Sequence, residues 1–385
     1  MTDKTSNPIE LKIGPDRYLG WQSMRVSRSI ETMAGSFSLD VTDYWSQGGG
    51  GAITGKPILP GDACQVLLHG QPVITGFVDE AAIDYDSNSH RTKISGRDKT
   101  MDIVDCSLRH PPGQWNNKKL DELAMHLVHH HGIKLVVQAD DVGKPFDTIM
   151  VQTGETMFAF LDRAARSRGL MFSSTPDGDL LLTTPGQITL TDHLVEGVNI
   201  KAARAQFSHK DRYSEIRVIG QTRLEGDGDS DYASPSVVVR DPSITRYRPL
   251  VIHSEISGTT VDFKARAEWE VMVRAARGSK GSITVQGWTD QSGKIWQPGR
   301  IVTVTSPSIY LDRAKMLIVG CDYSQDLSGG SLTELSICPP AAFVELGSSS
   351  KRKSRQPIPA SKVFGTSKSR AERLRAESVS DWSDL

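Results

Sequence analysis

The sequence predicts an α+β protein of mainly β character, in which two related β-barrel domains flank an α+β insert. Three observations support this fold class. Short alternating apolar segments, punctuated by Gly, Pro and Asp, fill residues 11–105 and return at 207–344. Between residues 111 and 184 the apolar period changes to about 3.6 residues, the period of a helix. The two β regions also share an ordered series of turns and strands.

Length and composition indicate a large soluble chain. With 385 residues it has room for about two to three domains of ~150 residues each. Hydrophobic residues make up 37% and charged residues 24%, and no uncharged apolar run approaches the ~18 to 20 residues that cross a bilayer. The first ten residues are polar and lack the basic and apolar regions of a secretory signal. We therefore expect a soluble protein that the general export pathway does not carry.

The four cysteines show no pattern of a binding site. Cys64, Cys106, Cys321 and Cys338 are far apart and form no CxxC pair, so neither a disulfide framework nor a zinc site is indicated. We expect all four to be buried, reduced thiols.

The first β-barrel domain is predicted over residues 1–105. Ser36 to Val41 and Cys64 to His69 alternate as strands do, and Pro60-Gly61-Asp62 and Gly70-Gln71-Pro72 supply turns. Strands at this spacing are typical of a small barrel or sandwich, and closure of a barrel would remove exposed edges.

The α+β insert is predicted over residues 106–206. One helix is marked by Leu120, Leu123, Ala124, Leu127 and Val128, and a second by Phe158, Leu161, Ala164 and Ala165. Thr153 or Thr156 can cap the second helix, which is expected to end at Arg168-Gly169. Two short apolar segments joined by Pro176 to Asp179 then predict a hairpin.

The second β-barrel region is predicted over residues 207–347, with a crossing helix at 259–277. The expected apolar face of that helix consists of Val261, Ala265, Trp269, Met272 and Ala276. Glu270 and Arg274 form a favourable i,i+4 pair, which we expect on the other side.

The two β regions match as an internal duplication. Pro60-Gly61-Asp62 precedes a strand, as Pro298-Gly299-Arg300 does; Gly76 corresponds to Gly320, and Thr92 to Gly96 corresponds to Thr333 to Ile337. The alternative is that any two β regions show turn, strand, turn and strand. Two related barrels explain the collinear order better.

The last segment, residues 348–385, differs in charge from the rest. It carries nine Lys or Arg against four acids, a charge of +5, which leaves −6 on the remainder of a chain whose total is −1. Few large apolar side chains are present, so we expect a basic flexible tail, with Ser378 to Leu385 around Trp382 as a part that docks on a partner. One alternative is that the tail is an arm that binds nucleic acid or a membrane. Another is that it is a peptide that becomes ordered during assembly.

Three local patterns resemble chemical sites and are interpreted as structural. Gly50, Gly55 and Lys56 fit a phosphate-binding loop, but Pro57 stands where Ser or Thr is needed and strands surround it. His126 and His130, beside His129 and His131, have chelating i,i+4 spacing without a third ligand. The acidic stretch at Asp227, Asp229 and Asp231 resembles the start of a calcium-binding loop. Such a loop needs Gly at its sixth position and Glu at its twelfth, where this sequence has Tyr232 and Val238.

The sequence contains no GxSxG elbow, no Cys/His nucleophile context and no persuasive carboxylate pair. We therefore predict a protein that is not an enzyme and has no catalytic residue, metal, cofactor or small-molecule substrate.

One set of motifs resembles a known family. It comprises Ala265 to Glu270, Gly287-Trp288 and Ile295 to Val304. These residues resemble the central baseplate hub proteins of Mu-like contractile-tailed phages, and more widely the phage late control D proteins and the N-terminal part of type VI secretion spikes. The resemblance covers about residues 8–345. We interpret its signature residues as structural: Trp269, Trp288, Trp296, Pro298 and Gly299. Trp269 is expected to plug a barrel end from the apolar helix face.

The resemblance implies a homotrimer with two tube-type barrels per chain, which gives a pseudo-sixfold ring around a channel. Such a ring would join the sixfold tail tube protein to a trimeric membrane-piercing spike, among other baseplate proteins. DNA would pass through the channel without specific binding. The expected location is the tail baseplate of the virion, after synthesis in the host cytoplasm.

The alternative is a hub or spike component that binds or degrades the cell wall. Val151 to Thr156 is similar to the opening of LysM-like modules. A glycan-binding module should expose aromatic side chains in a groove, whereas Phe158, Phe160, Met171 and Phe172 lie in apolar runs that favour burial.

Overall fold

The structure, a computed structural model, describes residues 9–43, 57–86, 90–109, 113–166, 170–220, 222–223, 232–233, 236–253, 260–326 and 329–343. These residues form two compact units. The first contains Met1–Ile188, Ile283–Arg300 and Ile318–Ser336, and the second contains Thr189–Ser282, Ile301–Leu317 and the chain from Ile337. None of the helices in these ranges has the length and hydropathy needed to span a membrane.

Up to residue 188, the described part of the chain contains twelve strands and three α-helices. They are β1 (Ile9–Ile13), β2 (Asp16–Tyr18), β3 (Ser23–Ser29), β4 (Ser36–Asp43), β5 (Ala63–Leu68), β6 (Gln71–Tyr85), β7 (His90–Asp98), α1 (Met101–Asp105), β8 (Gln114–Lys118), α2 (Leu120–Val128), β9 (Leu135–Val137), β10 (Phe146–Met150), α3 (Met157–Arg166), β11 (Met171–Ser174) and β12 (Leu180–Thr183).

The remaining elements contain one long helix. They are β13 (Thr189–Val195), β14 (Ala202–Phe207), β15 (Glu215–Ile219), β16 (Thr222–Arg223), β17 (Tyr232–Ala233), β18 (Ser236–Arg240), β19 (Pro249–His253), α4 (Thr260–Arg277), β20 (Ser279–Gln286), β21 (Ile301–Ser306), β22 (Leu311–Asp326) and β23 (Gly330–Cys338). The fold is mainly β, as the sequence predicts.

Six strands near the N-terminus form the first strand set. Hydrogen-bonded neighbours follow the order β1-β5-β6-β7-β4-β3, and all five pairings are antiparallel. Alternate residues of these strands are apolar and buried, among them Val26, Leu39, Val66 and Ile94. The alternating pattern that predicted strands in this region is therefore the pattern of one buried sheet face.

Six later strands form the second strand set. Its neighbours follow the order β13-β21-β22-β23-β20-β14. The three central strands have 6, 16 and 9 residues in β21, β22 and β23, against 6, 15 and 9 in β5, β6 and β7. One pairing differs, since β13 runs parallel to β21 whereas β1 runs antiparallel to β5.

The edge strand β3 of the first set has a second neighbour in the first unit. Residues 320–325 of β22 pair antiparallel with β3, in a register that joins Tyr323 to Val26 and Ser324 to Arg25. Both edges of β3 are therefore hydrogen-bonded, because β4 occupies the other one.

Residues 101–183 form a lobe with its own core. The predicted helix stripe of Leu120, Leu123, Ala124, Leu127 and Val128 is buried in α2, and it packs with Phe160 and Leu161 of α3. The Thr156 hydroxyl accepts a hydrogen bond from the Ala159 amide at 3.2 Å, so Thr156 is the cap that the sequence proposed for α3. The predicted hairpin is β11-β12, with Gly178 in the left-handed conformation.

The buried face of α4 differs from the predicted one. The helix packs Phe263 and Ala267 against Ile216 and Val218 of β15, in the three-stranded sheet β18-β15-β19. Of the predicted face, Ala276 is buried, Trp269 and Met272 are only partly buried, and the burial of Val261 and Ala265 is not described. That Trp269 plugs a barrel end stays a prediction. The buried stripe therefore shares Ala276 with the predicted face but also passes through Glu270, a residue that is only 6% exposed.

The cysteines follow the prediction with one exception. All four are free thiols, but Cys106 is exposed, whereas Cys64, Cys321 and Cys338 are buried. Burial raises the pKa of Cys64 and that of Cys321 to about 12 each, because a thiolate would lose its hydration.

Some predicted features lie outside the described residues. These are the loop of Gly50 to Lys56, the helix end at Arg168-Gly169, the acidic loop of Asp227 to Asp231, and the tail at 348–385.

Candidate functional site

Two of the signature tryptophans lie in a hydrogen-bonded aromatic cluster of the first unit. Trp288 is completely buried and Trp296 is 4% exposed. The Trp288 indole N–H donates to the Ser324 carbonyl at 3.1 Å, and the Tyr323 hydroxyl donates to the Trp296 carbonyl. The Trp296 amide donates to the Trp288 carbonyl at 3.1 Å. The cluster therefore ties residues 288–296 to β22.

Sequence reasoning missed two members of this cluster. Tyr323 is completely buried, and the His69 ring lies 5.0 Å from the Trp288 ring. Next to it, the side chain of Gln71 donates to the Gly293 carbonyl at 2.8 Å. His69 and Gln71 are more than two hundred residues away in the chain, and no local pattern marks such a contact.

The signature residues Pro298 and Gly299 form the turn that enters β21. Gly299 has a φ of +83°, a conformation that residues with a Cβ rarely adopt. Its amide donates to the Ile318 carbonyl, and the Ile318 amide donates to the Arg300 carbonyl, each at 2.8 Å. This pair of hydrogen bonds sets the register of β21 on β22.

The turn before β5 has the same geometry. Gly61 has a φ of +91°; its amide donates to the Val78 carbonyl at 2.8 Å, and the Val78 amide donates to the Asp62 carbonyl at 3.0 Å. Val78 is thus the counterpart of Ile318. The match of Gly76 with Gly320 that sequence identity indicated is therefore displaced by four residues.

Trp269 takes part in a charged network on α4. Glu270 accepts from Arg266 at 2.7 Å and from Arg274 at 2.8 Å, so the predicted i,i+4 pair is present, but on the buried side. The Arg266 guanidinium lies 4.9 Å from the Trp269 ring centre, and that of Arg274 lies 5.5 Å from the ring of Tyr213. Two cations thus balance one buried carboxylate, which makes the arrangement structural.

A second buried ion pair lies in the same unit. The Arg212 guanidinium donates to Asp241 at 2.7 and 3.2 Å, and both residues are at least nine-tenths buried. Burial opposes ionisation of Asp241, but hydrogen bonds from Ser243 and Arg212 outweigh it, so the pKa of Asp241 lies below its usual value. Neither residue was singled out from the sequence.

The candidate metal ligands do not come together as a site. The rings of His126, on the exposed side of α2, and His130, in the exposed 3-10 turn after it, lie 6.4 Å apart. No group of three or more His, Cys, Asp or Glu suited to a metal ion occurs within the described ranges.

The aromatic side chains of the insert are packed inward. Phe160 and Phe172 are buried, and Phe158 and Met171 are partly buried. In the described part of residues 101–183, the large exposed apolar side chains are those of Met125, Val137 and Met150. An exposed aromatic groove for glycan is therefore not formed by these residues.

Three family models match successive parts of the chain. The N-terminal model of the Mu phage baseplate assembly protein GpP-like family matches residues 8–98, and the second-domain model of the gp44-like baseplate hub proteins matches residues 100–184. The fourth-domain model of GpP matches residues 259–345 and contains all five signature residues.

Three proteins are similar to this chain over most of its length. The baseplate hub protein gp44 of Escherichia phage Mu is 30% identical over 346 residues, which cover 88% of this chain and 89% of gp44. The 43 kDa tail protein of prophage MuSo2 from Shewanella oneidensis is 35% identical, with a TM-score of 0.77 over 88% of this chain and 99% of that one. A tail protein from Neisseria meningitidis MC58 shares the fold with a TM-score of 0.70 at 22% identity, covering 88% and 98%.

These relatives carry the names of structural baseplate and tail proteins, not of enzymes. The identity to gp44 extends over almost the full length of both proteins, and the family models cover the β regions as well as the insert. The chain therefore belongs to the baseplate hub proteins of Mu-like phages and is a structural protein of the phage tail baseplate.

Proposed function

We propose that three copies of this hub form a ring in which each chain contributes two related tube-type barrel domains. The observation that carries the proposal is the agreement between the two strand sets. They have the same strand order along the chain and in the sheet, similar lengths of their central strands, and the same glycine turn. Such agreement is typical of a duplicated domain.

The strand sets also define domain boundaries for this proposal. The first barrel comprises β1 to β7, the insert comprises α1 to β12, and the second barrel comprises β13, β14 and β20 to β23. Residues 189–206, which lie within the insert predicted from the sequence, would then belong to the second barrel. The elements β15 to α4 are a second insertion, between β14 and β20.

A trimer of duplicated domains suits a junction between two symmetries. Three chains with two barrels each present six similar units on one face, while the inserts repeat only three times. The hub could therefore hold a sixfold tail tube protein on one side and a trimeric membrane-piercing spike on the other, with a central channel through which DNA passes. Contacts with other baseplate proteins would surround this ring.

Native mass spectrometry of the purified chain, alone and with its spike partner, tests the proposal. We expect a trimer, at high concentration or in the presence of the spike. A stable hexamer would put twelve barrel domains around the ring and would contradict the model.

The same preparation should show no hydrolysis in a zymogram of cell-wall material. Activity that disappears when one acid of the insert is mutated would favour a cell-wall-degrading hub instead.

The tail at 348–385 is proposed to act in assembly rather than in folding. Its +5 charge opposes the −6 of the remaining chain, which suits attraction to acidic surfaces of the same or adjacent subunits. Its position lies outside the described residues.

A further inference from the structure

The two strand sets differ at one edge. In the first set, the outer edge of β3 is paired with residues 320–325 of β22. In the second set, β14 holds the corresponding position beside β20, and within the described residues β20 is its only paired strand. Five of the six residues of β14 are exposed. The strand contains no proline and only one charged residue, Arg204. The ring of Phe207 at its end lies 6.1 Å from that of Tyr310, so residues 202–206 are the part with little protection against pairing with another strand.

The complementary edge lies at the end of β6. Pairing of β5 with β6 extends only to Phe77, and from Asp79 to Tyr85 the described residues place a partner, β7, on one side alone. Two large apolar side chains are exposed there, since Ile83 is 58% exposed and Tyr85 is 79% exposed. An exposed apolar strand end of this kind is typical of a contact surface.

The turn geometry shows which residues of β6 and β22 correspond. Because Val78 is the counterpart of Ile318, the numbers differ by 240 at the turn. The same offset, carried past the register shift that follows Val78, matches Ile83 with Tyr323. Tyr323 is completely buried beside Val26, whereas Ile83 is exposed. The part of β22 that pairs with β3 is thus the counterpart of the part of β6 that has a single described neighbour.

A matching row of residues aligns β3 with β14. In the first set, Val26 pairs with Phe37, and Phe37 pairs with Gly96. In the second set, a Cβ on Gly281 would lie 3.8 Å from the Cα of Ala205 and 3.5 Å from the Ile337 side chain. Gly96 and Ile337 are counterparts in the sequence match of β7 with β23, a segment separate from the displaced match of Gly76 with Gly320, and both residues are buried. Ala205 is therefore the counterpart of Val26.

We propose that residues 80–85 of β6 in one copy pair antiparallel with β14 of the next copy, with Ile83 opposite Ala205. This inference deepens the proposed function, on which it rests, by naming the surface that joins neighbouring copies. The contact is head-to-tail, because each copy uses a different edge toward each neighbour, and such contacts form a ring when the rotation from copy to copy closes. It repeats between chains the pairing of β22 with β3 within one chain.

The chemistry of both edges agrees with this register. Ile83 would lie over the mouth of a small cavity lined by the apolar side chains of Ala205, Phe207, Ile309, Leu311, Met316 and Ile337, and also by Ser279, Lys280 and Gly281. One position further along the strand, Asp84 would lie opposite Arg204. Both residues are exposed, and their charges are opposite. A slip of one residue would turn Ile83 away from the cavity, so the apolar contact specifies the register.

Disulfide crosslinking in the full chain tests the register. In a Cys106→Ser background, the double variant Ile83→Cys, Ala205→Cys should form covalent dimers and trimers under mild oxidation. The matched variant Ile83→Cys, Gln206→Cys should not, because neighbouring residues of a strand point to opposite faces. Equal crosslinking in both variants, or crosslinking in neither while native mass shows a trimer, would refute the pairing and leave the hub function standing.

A second test uses charge and apolar contact. Ile83→Asp should weaken trimer formation at least tenfold, whereas Met125→Asp should leave it unchanged, although Met125 is equally exposed at 58%. Arg204→Asp and Asp84→Arg should each weaken association, and the double reversal should restore most of it. The proposal would be overturned if the Ile83→Asp variant formed trimers as stable as those of the wild type. It would also be overturned if the double reversal weakened association by as much as the two single substitutions together.

Discussion

Trp288 and Tyr323 join the segment 288–296 to β22, because the Trp288 indole donates to the Ser324 carbonyl, next to Tyr323, and the Tyr323 hydroxyl donates to the Trp296 carbonyl. Both side chains are completely buried. The glycine turn at Gly299, whose geometry repeats that of the turn at Gly61, follows directly after this cluster in the chain.

Removal of the Trp288 indole should therefore destabilise the first unit strongly. We expect Trp288→Ala to lower the free energy of unfolding by ~3 to 5 kcal/mol, since a large cavity and an unpaired carbonyl would remain. Trp269→Ala should cost less, because that ring is partly exposed and stacks on Arg266. Chemical denaturation of both variants measures the difference, and an equal loss would show that the exposure of Trp269 is misjudged.

The ion pair of Arg212 and Asp241 should make stability depend on acid pH. The pKa of Asp241 is lower in the folded than in the unfolded state, so its contribution is present above the unfolded value near 4. It is lost as pH falls through the folded pKa. We expect Arg212→Ala to cost ~3 to 5 kcal/mol at neutral pH and less at pH 3, because it leaves a buried carboxylate unpaired.

Thermal unfolding between pH 3 and pH 7 would measure this effect. Arg217→Ala provides the control, since Arg217 is exposed on the outer face of β15 in the same unit. A difference between Arg212→Ala and wild type that stays constant over this pH range would contradict the assignment.

Thiol reactivity should distinguish Cys106 from the other cysteines. Cys106 is exposed, whereas burial raises the pKa of Cys64 and Cys321 to about 12, so almost no thiolate of either exists at pH 8. We expect iodoacetamide to modify Cys106 first, with the buried thiols reacting only after denaturation. Mass spectrometry of peptides from native protein tests this, and rapid modification of Cys321 would contradict its burial.

Truncation after Gly347 should separate folding from assembly. We expect unchanged circular dichroism and melting, because the tail has too few apolar side chains to complete a core. Incorporation into baseplates should fall, and the difference from the full chain should shrink at high salt, since exposed charges are screened beyond ~8 to 10 Å at physiological ionic strength. Misfolding of the truncated chain, or full incorporation at every salt concentration, would show that the proposed role is wrong.

Local patterns in the sequence predicted local structure well. The stripe from Leu120 to Val128, the cap at Thr156 and the hairpin around Gly178 each depend on residues close in the chain, and all three are present in the structure. The same holds for the turn at Gly299, whose left-handed conformation follows from the residue type.

Features that depend on distant residues could not be predicted in this way. The face of α4 was misassigned because a buried Glu270 counts as polar, and only its two arginine partners make burial tolerable. The match of Gly76 with Gly320 followed residue identity, whereas strand register follows hydrogen bonds. The contact of His69 with Trp288 joins residues from opposite ends of the chain and leaves no local trace.

The duplication of the strand sets also changes the entropy of assembly. In the proposed ring, half of the contacts between neighbouring barrels form within one chain, where a covalent tether replaces a diffusional encounter. Six separate single-barrel chains would lose translational and rotational freedom in five associations, whereas three two-barrel chains do so in two. Each such loss costs an estimated ~4 to 15 kcal/mol, so linked barrels can close the ring through weaker edges than unlinked ones would need. The open ends of β6 and β14 can therefore remain modest in apolar area, which lowers the risk of uncontrolled strand pairing before the ring closes.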